Sequence, residues 1–231
     1  TSAIVLVRYL ANGSLDTSFG NNGFVQNAAV VGNGYAVAIQ PDGKIVVAGA
    51  APVSGNASDL GDMLIARFHR DGSLDEDFGT SGSLIFDVTS GTDLARNLVL
   101  LPDCSMIAAG IAGSDPALQT GVAKVTPAGI LDKTFGTDGR LSIPGANVGY
   151  GLALQSDGKI LLAGGTTGFP SAVALMRLEP NGNLDSSFGN GGAVTHRTSN
   201  SNTGEGYIAY AVAVRPDGRI YVAGKSGSIN E

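Results

Sequence analysis

Four basic residues each stand eight positions before an aspartate: Arg8 and Asp16, Arg67 and Asp75, Lys124 and Asp132, Arg177 and Asp185. Opposite charges at that spacing meet if the chain turns back between them. One reading is a ring of four equivalent charged sites. The other is an ion-pair brace in every copy, and the repetition favours it, because a catalytic group is rarely needed four times. The remaining titratable candidates are few. His69 and His196 are the two histidines. His196, with Asp87 and Arg197 near it, is the candidate for a titrating group, a metal ligand or a central-channel hydrolytic site. Cys104 is the single cysteine, which excludes an intramolecular disulfide and a multi-cysteine zinc site. The sequence holds no nucleophile elbow, P-loop, H-E-x-x-H or C-x-x-C motif.

Two other patterns invite a ligand. Tyr35, Arg96, Tyr150 and Tyr210 occupy one equivalent position, six residues before a recurring turn. Tyrosines stack on sugar rings or anchor a protein partner, and they also plug gaps between packed sheets. The acidic run Asp71 to Asp77 suggests calcium, the ion expected if the channel holds one. It lacks the full spacing of a calcium loop, and the other copies lose its acids, so a turn is the better reading. No other cofactor is expected.

The elements that must position these residues repeat. Leu-Asp-x-x-Phe-Gly occurs four times, with Phe19, Phe78, Phe135 and Phe188 separated by 59, 57 and 53 residues. Each copy also carries two apolar runs around a turn, as in Ala36 to Gly49 about Pro41-Asp42-Gly43. Proline presets one turn position and glycine accepts positive φ, so these are hairpins. The runs are short and rich in Val and Ile, and none shows sustained helical periodicity. Four short strands per repeat read as a propeller blade. Counting strands A to D outward from the centre, the blades fall near 23–69, 83–127, 140–179 and 192–225. The last lacks its outer strand, and the run at 2–9 is expected to supply it. The whole chain, 1–231, reads as one all-β domain, a four-bladed β-propeller closed by its N-terminal strand. The four phenylalanines are expected to plug between blades. The variable loops at 51–61, 89–94, 112–120, 166–170 and 198–206 share one face.

Composition agrees with an ordered all-β chain and narrows its partners. Of 231 residues 35 are glycine, about twice the ordinary share, yet 43% are apolar and 15% charged. The glycines therefore punctuate a folded chain. The net charge of −6 and the absence of basic clusters argue against nucleic-acid binding. No apolar stretch is long enough to insert across a membrane as a helix.

The pattern R-x-x-x-D/N-G-S-L-D-x-x-F-G-x-x-G (Arg67 to Gly82) and the string Q-P-D-G-K-I-V-V-A-G (Gln40 to Gly49) resemble the delta-60 repeats, a bacterial propeller-type family. The likeness covers nearly the whole chain. The second copy departs from it at Cys104-Ser105, and the third at Thr126-Pro127-Ala128-Gly129. The resemblance implies a β-propeller in a secreted or cell-surface setting and implies no catalytic residues. The expected function is a non-enzymatic binding module for a carbohydrate or protein ligand on the variable-loop face. The alternatives are a secreted hydrolase near His196 and a structural repeat segment of a larger surface protein.

Overall fold

The structure is a computed structural model that describes residues 3–52, 61–114, 117–167, 171–197 and 206–227. Much of the expected variable loops, at 53–60, 115–116, 168–170 and 198–205, lies outside the described residues, as does Ser2 of the expected N-terminal strand. Among the described residues all regular structure is β. The strands are β1 Ala3–Val7, β2 Phe24–Val31, β3 Asn33–Ile39, β4 Ile45–Ala51, β5 Asp62–Phe68, β6 Ser83–Phe86, β7 Leu94–Leu100 and β8 Met106–Ala112. They continue with β9 Gln119–Val125, β10 Arg140–Ile143, β11 Ala146–Leu154, β12 Ile160–Thr166, β13 Val173–Leu178, β14 Ala193–His196, β15 Gly206–Val214 and β16 Ile220–Gly227.

The hairpin turns form for a local reason. In the first, the Asp42 carboxylate accepts the Lys44 N–H at 3.0 Å, and the Gly43 N–H donates to Gln40 at 2.8 Å. Gly43 takes φ +87°, which only glycine adopts freely. Cys104 holds the same place in the second copy at φ +64° and carries the strain of a side chain there.

The strands group differently from the sequence-based division. Three antiparallel sheets have the orders β3-β4-β5-β6, β7-β8-β9-β10 and β11-β12-β13-β14, and two pairs remain, β1-β2 and β15-β16. The strand expected to lead each blade, at 23–30, 83–88, 140–143 or 192–198, instead pairs with the last long strand of the sheet before it. The expected strands B, C and D are thus the first three of each sheet. Strand A of the next repeat is the fourth.

The sheets stand in a row. β3 packs on β7, β7 on β11, and β11 on β15, so these strands line the inner side. β6, β10 and β14 are at the far edges of their sheets. Apolar side chains interleave between successive sheets. Val46, Ile65 and Phe78 meet Ala95, Met106 and Ala123, and Ile107 and Phe135 meet Leu162 and Leu178. Ile4 and Phe19 meet Val47 and Leu64 at the N-terminal end. Each large side chain buried there contributes about 1.5–3 kcal/mol.

The expected closure is not made. Among the described residues β1 pairs only with β2, beside β3, while β16 pairs only with β15, beside the third complete sheet. The two pairs occupy opposite ends of the row, which is why the N-terminal strand does not complete the last blade.

Candidate functional site

The repeated charged residues form a clamp between neighbouring sheets. In the three complete sheets each aspartate follows a turn just past the third strand and its basic partner lies on that strand, while Arg8 directly follows β1 and Asp16 follows the turn after it. Arg8 Nε is 2.8 Å from Asp16, Arg67 Nε 2.6 Å from Asp75, Lys124 Nζ 2.9 Å from Asp132 and Arg177 Nε 2.6 Å from Asp185. The second carboxylate oxygen caps the next turn. Asp16, Asp132 and Asp185 accept the N–H and hydroxyl of Ser18, Thr134 and Ser187. Three guanidiniums also lie over rings, Arg8 on Phe19, Arg67 on Phe78 and Arg177 on Phe188, at 4.4–4.7 Å from the centroids.

The clamp reaches across the sheet boundary. Arg8 Nη1 donates to the Arg70 carbonyl at 2.7 Å, and Arg67 Nη1 to the Pro127 carbonyl at 2.6 Å. One step on, the N–H groups of Gly20, Gly79 and Gly136 donate to Asp71, Ala128 and Asn181 in the turn of the next repeat, each at 2.9 Å. Phe19, Phe78 and Phe135 are buried under those turns. This use of the basic residues leaves none of their pairs free for chemistry.

Sequence reasoning missed a second cation in two clamps. Lys44 Nζ is 2.9 Å from Asp75, and Lys159 Nζ is 2.7 Å from Asp185. Both lysines follow the Asp-Gly turn, so the signal was the Lys in the repeated hairpin string. The second copy has Ser105 there. His69 stands 3.8 Å from Asp75, half-buried.

The run Asp71 to Asp77 makes no calcium loop. Asp71 accepts the Ser73 N–H and hydroxyl, and Asp75 is held by Arg67 and Lys44.

The tyrosine position has a structural cause. In three inner strands the pairing skips one residue: Gly34 and Ala36 pair with Gly49 and Ala48, leaving Tyr35 between them. Arg96 and Tyr210 fall in the same gap of β7 and β15, and the irregularity in β11 spans Tyr150. These are β-bulges, which re-aim a side chain. The bulge brings a carbonyl against the facing glycine. A Cβ at Gly49, Gly110 or Gly224 would collide with the carbonyl oxygen of Asn33, Leu94 or Ile208. The repeated Ala-Gly is therefore the mate of the bulge. Arg96 stacks on Tyr150 at 5.3 Å, and Tyr150 meets Tyr210 edge-on at 5.5 Å and 87°. The Asn97 amide binds the carbonyls of Gly149 and Tyr150 at 3.1 and 2.8 Å, which fixes the row across two sheets. Tyr35 and Tyr210 remain nearly half exposed, and Arg96 is exposed.

The hydrolytic candidates are not together. Asp87 follows β6 on the first complete sheet. His196 ends β14 on the third, opposite Val173, and exposed Arg197 follows it. β14 is an edge strand, so His196 does not approach the inner side, contrary to the expectation for an inner strand.

Asp87 instead joins Asp62 and Asp93, with carboxylate oxygens within 4.8 Å of one another. Asp93 is fully buried and accepts four bonds, from the N–H groups of Val88, Thr89 and Gly113 and the Thr89 hydroxyl, at 2.5–3.2 Å. It braces the loop. Desolvation, a hydrogen bond to Asp93 and the charges of Asp93 and Asp62 push the Asp87 carboxyl above its ordinary value, against the pull of Arg140. Three carboxylates this close suit a shared proton or a divalent cation. Asp62 is 25 positions from Asp87, and no motif links them.

Stacked four-stranded sheets joined by a repeated inter-sheet clamp define a propeller-type repeat protein. Residues 1–19, 40–78 and 155–188 are similar to a family described as a domain of unknown function (DUF5122), beta-propeller. Each matched segment ends at the clamp phenylalanine, and the two longer ones begin at the glutamine before the Asp-Gly turn. The copy carrying Cys104 is not matched. No curated protein matches the chain.

Proposed function

We propose that this chain is a non-enzymatic repeat module that holds a carbohydrate or protein ligand on its variable-loop face. The bulge row is the surface that meets the ligand. The observation that carries this reading is the division of labour among polar side chains. The repeated Arg, Lys and Asp residues are engaged in clamps, whereas Arg96 and Tyr210 are held against Tyr150, and both, with Tyr35, keep surface open to solvent. Fixed aromatic faces beside a guanidinium suit sugar rings and the aromatic anchors of protein interfaces. A hydrolase reading has less support, because Asp87 and His196 stand on sheets separated by a third.

The test is a glycan array run with the unmodified chain and with Tyr35→Ala and Tyr210→Ala. Binding that falls at least tenfold in either variant supports the row as the site. Undiminished binding in both would remove it. Turnover of an ester or glycoside panel that disappears in His196→Ala would replace this reading with the hydrolase.

A further inference from the structure

Among the described residues, four arginines lie over aromatic rings. Arg8, Arg67 and Arg177 stand 4.4–4.7 Å from the centroids of their phenylalanines, and Arg96 stands 5.3 Å from that of Tyr150. The first three have a carboxylate on Nε at 2.6–2.8 Å, supplied by Asp16, Asp75 and Asp185. Arg96 has the ring and lacks the acid. Among the described residues its guanidinium makes no ion pair and no hydrogen bond. We propose that the ligand of the bulge row is an acidic saccharide, whose carboxylate takes on Arg96 the place that aspartate takes on the other stacked arginines. The proposal rests on the reading of the row as a ligand surface and adds the charge of what that surface holds.

The guanidinium is held before any ligand arrives. The Tyr150 ring beneath it is met edge-on by Tyr210. The Asn97 side chain, next along from Arg96, binds the carbonyls of Gly149 and Tyr150 and so ties the two strands together. Arg96 is on β7 and Tyr150 on β11, strands of complete sheets with a packed neighbour on either side. The stack therefore belongs to the interior of the row. A guanidinium lying on a ring still offers its N–H groups within its own plane, the geometry a carboxylate accepts in two parallel bonds. Fixing it beforehand lowers the ordering cost of binding.

The surroundings favour a sugar over an acidic peptide. The residues adjoining Arg96, Tyr150 and Tyr210 in β7, β11 and β15 are alanine, glycine and Asn97. Protein partners draw most of their affinity from large apolar anchors set in pockets, which such small neighbours do not build. A sugar acid carries its charge, its hydroxyls and a C–H face in one compact ring. A guanidinium beside two phenols whose rings are 5.5 Å apart presents the matching mixture of charge, hydroxyl and aromatic surface.

The net charge of −6 does not prevent this contact. Exposed charges farther off than about 8 Å are screened at physiological salt, so the local guanidinium decides. The acid nearest to it in sequence, Asp93, is buried and bound by four donors.

The test is a glycan array carrying uronic and sialic acids beside their neutral parent sugars, followed by calorimetry of the bound acid and of its methyl ester. The unmodified chain should hold the acid about tenfold more tightly than the ester. Arg96→Gln should abolish that difference and leave ester binding unchanged, with the melting temperature of the unmodified chain. Equal affinity of the unmodified chain for acid and ester, with binding still dependent on Tyr210, would overturn the acidic ligand and leave the row as the site. An acid preference that survives Arg96→Gln would overturn it as well. A polyglutamate peptide held through Arg96 as tightly as the sugar acid would give the charge site to proteins and overturn the saccharide. No saccharide bound at all would remove the ligand reading of the row together with this one.

Discussion

Arg67 Nε lies 2.6 Å from Asp75 Oδ2, and the two side chains are 9% and 1% exposed. Lys44 reaches the same oxygen, so one buried carboxylate satisfies two cations, Arg67 on β5 and Lys44 from the turn before β4. Removing it would leave both charges without their partner, and unpaired buried charge is costly. Asp75→Ala should lower stability by about 3–5 kcal/mol in urea denaturation. Asp16→Ala, where the pair lies at the open end of the row, should cost clearly less. Equal losses would show that burial does not govern the clamp.

Cys104 occupies a turn position where the other three copies have Gly43, Gly158 and Gly218, all at φ near +85°. Cys104→Gly should raise stability by about 1 kcal/mol by relieving the left-handed backbone. For a chain of this size that is a rise in melting temperature of about 2–4 °C by calorimetry. A fall in melting temperature would mean that the thiol contributes packing that outweighs the strain.

The bulge and its glycine should fail together. Gly110→Ala places a methyl against the Leu94 carbonyl, and the neighbouring strand must shift. The expected loss is about 2 kcal/mol or more, whereas the exposed Arg96→Ala should cost about 0.5 kcal/mol. Urea midpoints of the two variants make the comparison. A tolerated Gly110→Ala would count against the bulge as the reason for the repeated Ala-Gly.

Two acids should shape the pH dependence in opposite senses. The Thr134 hydroxyl and Lys124 hold the Asp132 carboxyl down to about 2 from its ordinary 3.8. Its folded form binds a proton less readily than the unfolded chain. That stability is present above the ordinary value and drains as pH falls from 3.8 toward 2. Asp87 is raised, so its folded form holds the proton more tightly. Its contribution is present at low pH and is lost as pH rises through the raised value. Asp132→Asn should therefore flatten the acid limb of the urea midpoint against pH. Asp87→Asn should raise the midpoint at neutral pH, with the gain vanishing below pH about 4. A neutral-pH loss in Asp87→Asn would contradict the crowding of the three carboxylates.

The strands, hairpin turns and eight-residue charge spacing were legible in the sequence because each is local. The grouping into sheets was not. β6, β10 and β14 are four residues each, too short for an alternating pattern to choose between two neighbours. Each is joined to the strand before it by the Leu-Asp-x-x-Phe-Gly turn and to the strand after it by a connection whose length differs between copies, only two residues between β10 and β11. Either join gives an antiparallel pair. The tyrosine position stood out by its offset, but a bulge breaks the period of two, so its direction was hidden. The meeting of Asp62 with Asp87 and Asp93 depends on packing of distant loops, which leaves no spacing to read.

The offset between sequence repeat and sheet has an evolutionary consequence. Each repeat straddles a boundary, giving three strands to one sheet and a fourth to the sheet before it. Duplicating or deleting a whole repeat would therefore add or remove one clamp and one sheet boundary together, so the contacts between the remaining sheets keep their register.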